Sequence, residues 1–240
     1  MWNGVGFVPI GSSSGGGFSG TFNGQGNTLS NLFIGRYNGF TNLFLSNVDV
    51  GLFQGIATGG VVKNISVTDA TVQGYHISAI GILAGTNNGS IINSSVSGKQ
   101  YPGGSAVIGE LATGSGGLVG YNSGTITGSS ANVSMWTASV TGTGGLVGYN
   151  NGTIDQSSAT GSLYGGYYVG ALAGVNGGTG VISYSHADTD FVWGGVFQYK
   201  LPLTAKLCGP KSPHSTRYRK ALARFSFSIA SRVRCAESVL

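Results

Sequence analysis

The chain has little charge, little proline and few cysteines. Only 8% of its 240 residues are Asp, Glu, Lys or Arg, against about a quarter in typical soluble domains. It has five prolines and no strict Gly-X-Y period, so its 45 glycines do not belong to a collagen helix. No apolar run reaches the roughly 18 residues of a membrane-spanning helix. The start at Met1 lacks the basic and apolar regions of a signal peptide.

The few charges and both cysteines are unevenly distributed. Residues 1–190 hold three basic side chains against six acidic ones, whereas residues 191–240 hold nine against one. Cys208 and Cys235 both lie in the second part and form neither C-x-x-C nor a zinc-ligand spacing. The first part is therefore faintly acidic and free of cysteine, and it offers no basic surface for nucleic acid.

Two short phrases recur along residues 51–190. The heptapeptide that reads Gly-Gly-Leu-Val-Gly-Tyr-Asn in its central copies begins at Gly81, Gly116, Gly144 and Gly170. A second phrase, Gly-x-Ile-x-x-Ser-Ser in three of its copies, begins at Gly89, Gly124, Gly152 and Gly180. A degenerate fifth copy places Gly51-Leu-Phe before Gly60. Repeats of this length indicate a stacked, quasi-one-dimensional fold, which favours a contact surface over a catalytic pocket.

Aligned copies show columns of like apolar residues. One column is Leu52, Leu83, Leu118, Leu146 and Leu172; the next is Val62, Ile91, Ile126, Ile154 and Ile182; the third is Val67, Val96, Ala131, Ala159 and Ala187. Polar residues alternate with them, which indicates short strands, and the recurrence indicates that identical positions stack. The sequence therefore predicts an all-β fold, a right-handed parallel β-helix (β-solenoid) of about five coils spaced by about 4.8 Å.

Two polar columns accompany the apolar ones. The first is Asn87, Asn122, Asn150 and Asn176, and the second is Ser94, Ser129, Ser157 and Ser185. Asn tolerates left-handed backbone, so we expect the asparagines to lie in turns. We also expect their amides to hydrogen-bond from coil to coil, as ladders of identical side chains do.

Composition divides the chain into three regions. Residues 1–48 lack the heptapeptide and are expected to form irregular opening strands that cap the first coil. Residues 49–195 hold the repeats, and residues 196–240 form a basic, non-repeat tail that we expect to be poorly ordered. The abrupt change suggests the hypothesis that the tail is translated out of the ancestral reading frame; the alternative is a natural basic extension.

The phrases at Gly116 and Gly144, each running through Tyr-Asn-x-Gly-Thr-Ile, resemble the GLUG repeat. That repeat, named for Gly-Leu-hydrophobic-Gly, occurs in large bacterial surface proteins such as filamentous-haemagglutinin-like adhesins and some IgA1-cleaving surface proteases. The opening from Phe7 through Phe18 is similar to the segment that often precedes such repeats, so the resemblance covers roughly residues 2–190. It implies a secreted or surface-displayed β-helical stalk segment of a longer protein whose export signal lies upstream. The repeat has no catalytic residues, so none is carried over.

The residues predict no catalytic, cofactor-binding or metal site. The glycines from Gly15 to Gly20 fit G-x-G-x-x-G but lack the strand and helix of a dinucleotide site, so we interpret them as a turn. The histidines share no metal-ligand spacing; they are His76, His186 and His214. His186 falls in the column of Ser158 and is expected to point outward.

Acidic residues argue against an enzyme. Asp69 belongs to the first repeat and Asp188 and Asp190 to the last, a separation of about 19 Å for four coils, which is too long for paired-carboxylate chemistry. The alternative remains a fragment of a β-helical carbohydrate-active enzyme or of a surface protease.

The predicted function is therefore a structural or adhesive segment that offers a polar surface for contact. The tyrosines that could contact sugar or protein, or else stack as a ladder, are Tyr121, Tyr149, Tyr164, Tyr167 and Tyr168. The partners expected are a host-cell protein or glycan, and a second copy through exposed coil edges.

Overall fold

The computed structural model describes residues 6–11, 16–36, 49–75, 79–98, 107–110, 114–137, 142–164 and 168–191. These residues form short strands and turns, and among them there is no helix that could cross a membrane. The predicted tail after residue 195 lies outside this part of the chain. So do the following residues named above: Met1, Gly15, His76, Tyr167, Cys208, His214 and Cys235.

The strands form six coils. The first coil has β1 (Thr21–Asn23), β2 (Thr28–Ser30) and β3 (Phe33–Arg36), and the second has β4 (Phe53–Ile56), β5 (Val61–Lys63) and β6 (Ser66–Tyr75). The third has β7 (Ala79–Ile80), β8 (Ala84–Asn87), β9 (Ser90–Ile92), β10 (Ser95–Gly98) and β11 (Val107–Glu110). The fourth has β12 (Gly114–Gly116), β13 (Val119–Asn122), β14 (Thr125–Thr127) and β15 (Ser130–Trp136). The fifth has β16 (Thr143–Gly144), β17 (Val147–Asn150), β18 (Thr153–Asp155) and β19 (Ser158–Tyr164). The sixth has β20 (Val169–Gly170), β21 (Ala173–Asn176), β22 (Val181–Ser183) and β23 (His186–Phe191).

Four parallel sheets run along the stack. The long sheet contains β2, β3, β6, β10, β11, β15, β19 and β23, and the isoleucine sheet contains β1, β5, β9, β14, β18 and β22. The asparagine sheet contains β4, β8, β13, β17 and β21, and the glycine sheet contains β7, β12, β16 and β20. Every strand pair is parallel and joins neighbouring coils, so the predicted parallel β-helix is confirmed.

The predicted columns are the core of the stack. Ile126 pairs with Ile91 on one side and with Ile154 on the other, and all three are fully buried. The backbone N–H of Leu118 donates to the carbonyl of Leu146 at 2.9 Å, so these two leucines lie one over the other. A column of like aliphatic side chains fills the interior at constant spacing, which is why the repeat conserves size as well as polarity from coil to coil.

Residues 16–36 add the strands of a further coil to two of the four sheets. Phe22 pairs with Val62, and Leu29 pairs with Val67, both in parallel and in the same register as later coils. The rings of Phe18 and Phe22 lie 5.2 and 5.5 Å from the ring of Phe53. The region expected to hold irregular opening strands thus begins the solenoid itself, with aromatic rings where later coils have aliphatic columns.

One strand position of the third coil is interrupted. Both β10 and β11 pair with β6 and with β15, so together they occupy the place that a single strand takes in the coils on either side. The residues between Gly98 and Val107 are therefore an insertion within that strand position. It explains why the second phrases at Gly89 and Gly124 are further apart than their neighbours without a change of register.

The left-handed turn falls at another place than predicted. Four residues after the first glycine of each second phrase, the backbone has positive φ: Asn64 (54°), Asn93 (47°), Gly128 (59°), Gln156 (48°) and Tyr184 (43°). The prediction that Asn87, Asn122, Asn150 and Asn176 are left-handed is wrong. Each of them ends a strand of the asparagine sheet, where its backbone pairs with the next coil and must stay extended.

Candidate functional site

The asparagine column is a continuous ladder inside the molecule. The amide of Asn87 donates to Oδ1 of Asn122 at 2.8 Å, and that of Asn122 donates to Oδ1 of Asn150 at 2.7 Å. Asn150 in turn donates to Asn176 at 2.7 Å, and the first three side chains are fully buried. The predicted coil-to-coil bonding is therefore confirmed. Because these amides bond to one another inside the solenoid, they contribute to the structure of the stack and offer nothing to a ligand.

The serine column forms a second buried ladder. The hydroxyl of Ser129 accepts a bond from the backbone N–H of Ser94 at 3.2 Å and donates to the carbonyl of Thr127 at 3.0 Å. The same pattern recurs at Ser157 and at Ser185 in the following coils. Each hydroxyl satisfies one donor and one acceptor at the bend between two sheets. Both ladders keep polar chemistry inside, which leaves the outside as the place for contact.

The long sheet presents a regular outer face over its last three strands. We define the outer face as the outward side chains of β15, β19 and β23: Ser130, Asn132, Ser134, Trp136, Ser158, Thr160, Ser162, Tyr164, His186, Asp188 and Asp190. The hydroxyl of Ser162 bonds to that of Ser134 at 3.0 Å. On β15 and β19 this face is neutral, with hydroxyl and amide groups, whereas β23 adds two carboxylates and a histidine.

Aromatic side chains stack in two places on the exterior. The rings of Trp136 and Tyr164 lie 5.9 Å apart at 25°, at the edge of the outer face, and Trp136 is 41% exposed. The rings of Tyr121 and Tyr149 lie 5.3 Å apart at 13°, and the amide of Asn151 donates to the Tyr121 hydroxyl at 2.7 Å. The tyrosine pair therefore forms a ladder whose ring faces cover each other, while Trp136 keeps an exposed aromatic surface beside polar groups.

The last strand, β23, places one histidine and two aspartates on the same side, whereas the sequence analysis considered the histidine apart from the aspartates. His186, Asp188 and Asp190 alternate along β23 on one side, and all three are exposed. Successive members lie about 7 Å apart at the rise of a strand. The signal was the period-two spacing in His-Ala-Asp-Thr-Asp. His186 pairs with Ser158 and points outward as predicted, and Asp69 lies four coils away on β6.

The environment of Asp49 shifts the titration of its carboxyl group. Burial raises the pKa of Asp49, while a hydrogen bond from the Thr86 hydroxyl and one from the backbone of Ala79 act in the opposite direction. Sequence reasoning gave this residue no role, since a lone aspartate outside the repeat shows no pattern. Nowhere along the described ranges do three or more His, Cys, Asp or Glu lie where they could hold a metal ion.

The glycine-rich segment before β1 is a turn over the residues that the structure describes. Gly16 and Gly17 have φ of 78° and 95°, and Phe18 then bridges in parallel to Ile56 of the second coil. A Cβ on Gly17 would lie 2.8 Å from the carbonyl oxygen of Gly55. Glycine is needed here for the left-handed backbone and for the close approach of the next coil, which agrees with the interpretation of this segment as a turn.

Comparison with known proteins identifies one motif. A family model described as the GLUG motif matches residues 139–164, the segment that includes β16 to β19. No curated protein and no solved structure matches the chain. The chain therefore contains a GLUG repeat, and in the structure that repeat is one coil of a parallel β-helix.

Proposed function

We propose that this chain is a structural and adhesive segment of a large secreted or surface-displayed bacterial protein, and that it acts through its outer face rather than through a catalytic pocket. The observation that carries the proposal is the division of polar groups between inside and outside. Buried amides and hydroxyls bond to one another, whereas Ser, Thr and Asn of β15 and β19 face outward beside Trp136. The GLUG motif supports the placement in a surface protein, by resemblance.

A neutral face of hydroxyl and amide groups with an exposed indole suits a glycan or a polar protein surface. Such groups donate and accept hydrogen bonds without a net charge, and Trp adds contact area at a small entropic cost. The described part of the rod is acidic overall, so it has no electrostatic attraction for nucleic acid.

The test is a binding screen of the full chain against arrayed glycans and host-matrix proteins. Trp136→Ala should weaken the binding of a captured ligand about tenfold or more, because loss of an aromatic hot spot costs about 2 kcal/mol or more and about 1.4 kcal/mol is tenfold. Tyr184→Ala is the matched control, since Tyr184 is 60% exposed and lies outside the outer face. A ligand whose binding Trp136→Ala and Tyr184→Ala change equally would refute the assignment of the outer face.

The place of the protein on the cell is tested separately. Antibodies raised against the chain should label intact cells of its source as strongly as permeabilised cells. Labelling only after permeabilisation would contradict surface display while leaving the binding result untouched.

The spacing of Asp188 and Asp190 is the one observation that favours the alternative of a carbohydrate-active enzyme. About 7 Å lies within the range of inverting glycosidases. Both carboxylates are exposed, however, whereas the general acid of such a pair sits in a desolvated environment. Release of reducing sugar that disappears in Asp190→Asn would establish the alternative and overturn a non-catalytic role.

A further inference from the structure

The hydrogen bonds between successive coils follow one directional pattern at every junction. In the isoleucine sheet, the backbone N–H of the first residue of each strand donates to a backbone carbonyl of the preceding coil. The five bonds, all 2.9 Å long, are Val61 to Gly20, Ser90 to Gly60, Thr125 to Gly89, Thr153 to Gly124 and Val181 to Gly152. The N–H that follows each strand donates to the next coil, as Asn93 does to Thr127 at 2.9 Å. In the long sheet, Ser158 likewise donates back to Ser129 at 2.9 Å.

At the two ends of the stack, the backbone groups that follow this pattern point away from the neighbouring coil. In the described part of the chain, β1 and β22 are the first and last strands of the isoleucine sheet. By the pattern, the N–H of Thr21 and the carbonyl of Asn23 point away from the second coil. At the other end, the carbonyl of Gly180 and the N–H of Tyr184 point away from the fifth. Gly6 and Phe7 bond to β3, so they use the outer edge of that strand and not of β1 or β2.

The apolar columns are also incomplete at the two ends. Ile91, Ile126 and Ile154 are fully buried, whereas Ile182, in the same column of the last coil, is only partly buried. At the first coil, Leu29 belongs to the column of Val67, which is fully buried, yet Leu29 is 37% exposed. Each end therefore presents apolar surface of the kind that coils bury against each other elsewhere in the rod.

We propose that the chain associates head to tail with a second copy of itself, the first coil of one protomer stacking on the last coil of the next. Thr21 donates to Gly180 across the junction, and Tyr184 donates to Asn23. Phe22 then covers Ile182, and Leu29 covers Ala187. The occupant is a second copy because the isoleucine-sheet edge at each end repeats the junction that this sheet already forms five times within the chain. We call the free side of the first coil, with Phe22 and Leu29, the head surface, and the free side of the last coil, with Ile182 and Ala187, the tail surface.

Such a contact joins two different surfaces, so it leaves one free head surface and one free tail surface on every assembly. Heterologous contacts generate open linear assemblies, and unpaired strand edges add a partner by backbone bonding. The inference rests on the geometry of the coils and goes beyond the contact role of the outer face, which it neither needs nor excludes.

The experiment is sedimentation velocity on the full chain over a hundredfold range of concentration. Leu29→Lys places a charge in the head surface, and Ile182→Lys places one in the tail surface. Thr28→Lys and Val181→Lys are the matched controls, because each lies one residue from a blocked position and its side chain is exposed. Circular dichroism checks that each variant keeps its β-structure.

The wild-type chain and both controls should form species larger than dimers as concentration rises. Each blocked variant alone should stay monomeric. An equimolar mixture of the two blocked variants should form dimers and nothing larger, because one productive head meets one productive tail. If a lysine variant unfolds, Leu29→Thr and Ile182→Thr replace the pair and should raise the dissociation constant about tenfold.

Three outcomes would overturn the proposal. A wild-type chain that is monomeric throughout would show that the two ends do not associate. A dimer formed by one blocked variant alone would show a symmetric contact instead. Controls that dissociate as the blocked variants do would show a response to charge and not to the junction. None of these outcomes depends on ligand binding by Trp136, so the two proposals fail independently.

Discussion

The buried asparagine ladder makes a quantitative prediction about Asn122. This side chain is fully buried, accepts a bond from Asn87 and donates bonds to Asn150 and to the carbonyl of Gly124. Asn122→Ala removes the middle of the ladder while leaving the backbone pairing of β13 in place. The substitution therefore separates the contribution of the amide ladder from that of the sheet.

The magnitude follows from what the substitution leaves behind. Two amide–amide bonds are lost, each with a net contribution of about 1 kcal/mol. Oδ1 of Asn150 loses its donor inside the stack, and an unsatisfied buried acceptor costs about 1–3 kcal/mol. The amide of Asn87 keeps a longer bond to the carbonyl of Thr125 at 3.3 Å. The expected destabilisation is about 3–5 kcal/mol, a large part of the roughly 5–15 kcal/mol that stabilises a typical domain.

Urea unfolding followed by circular dichroism measures the effect. With an m-value of about 2 kcal/mol/M, a loss of 4 kcal/mol lowers the midpoint by about 2 M. Asn132→Ala is the matched control, because Asn132 is exposed on β15 of the same coil and should change the midpoint little. A loss below about 1 kcal/mol for Asn122→Ala would refute the reasoning, since it would mean that water or a relaxed coil satisfies the freed amides.

Three further predictions concern other buried positions. The Ser115 hydroxyl is buried without a hydrogen-bond partner, so Ser115→Ala should stabilise the fold by about 1 kcal/mol in the same urea assay. Ser129→Ala removes a hydroxyl of the serine ladder and should destabilise the fold by about 1–3 kcal/mol. A Cβ on Gly148 would lie 2.3 Å from the backbone nitrogen of Ser115, so Gly148→Ala should lower the midpoint by about 1 M or more; Gly178→Ala, with open space around it, is the control and should not. Burial raises the pKa of Asp49 in the folded state. The contribution of Asp49 to stability is therefore full below about pH 4 and is lost as the pH rises through the folded pKa. Asp49→Asn should flatten the profile of unfolding free energy against pH.

Each of these predictions has a result that contradicts it. Equal loss in the two serine variants would mean that Ser115 has a partner in solution. Equal midpoints for the two glycine variants would mean that neighbouring coils can separate at no cost. An unchanged pH profile in Asp49→Asn would place the titration of stability on other groups.

Stacking explains why so much of the core was predictable. When Ile126 lies between Ile91 and Ile154, one alignment of three phrases reveals both the strand and its neighbours. The same logic revealed the amide ladder, because identical amide side chains stacked at constant spacing lie within hydrogen-bond reach of one another. The parallel direction of the strands followed from the single short period of the repeat.

Features that break the repeat were not predictable in the same way. The first coil uses Phe22 and Leu29 where later coils use other residues, so no phrase marks it. The left-handed turn is occupied by Asn64, Gly128 and Tyr184 in different coils, because backbone geometry there tolerates several side chains. The raised pKa of Asp49 arises from burial at one place between the second and third coils, which no periodicity can reveal.

These non-repeating features also determine the register in which the coils stack. Coils four and five are so alike that a slip by one whole coil would preserve every column, including the amide ladder, at small cost. What distinguishes the native register is therefore the part that does not repeat. Phe18 and Phe22 pack on Phe53 in the first two coils, and the interrupted strand position of β10 and β11 lies between β6 and β15. The repeats supply the stability that stacking provides, while the unique first coil and the interrupted third coil determine which coil lies over which.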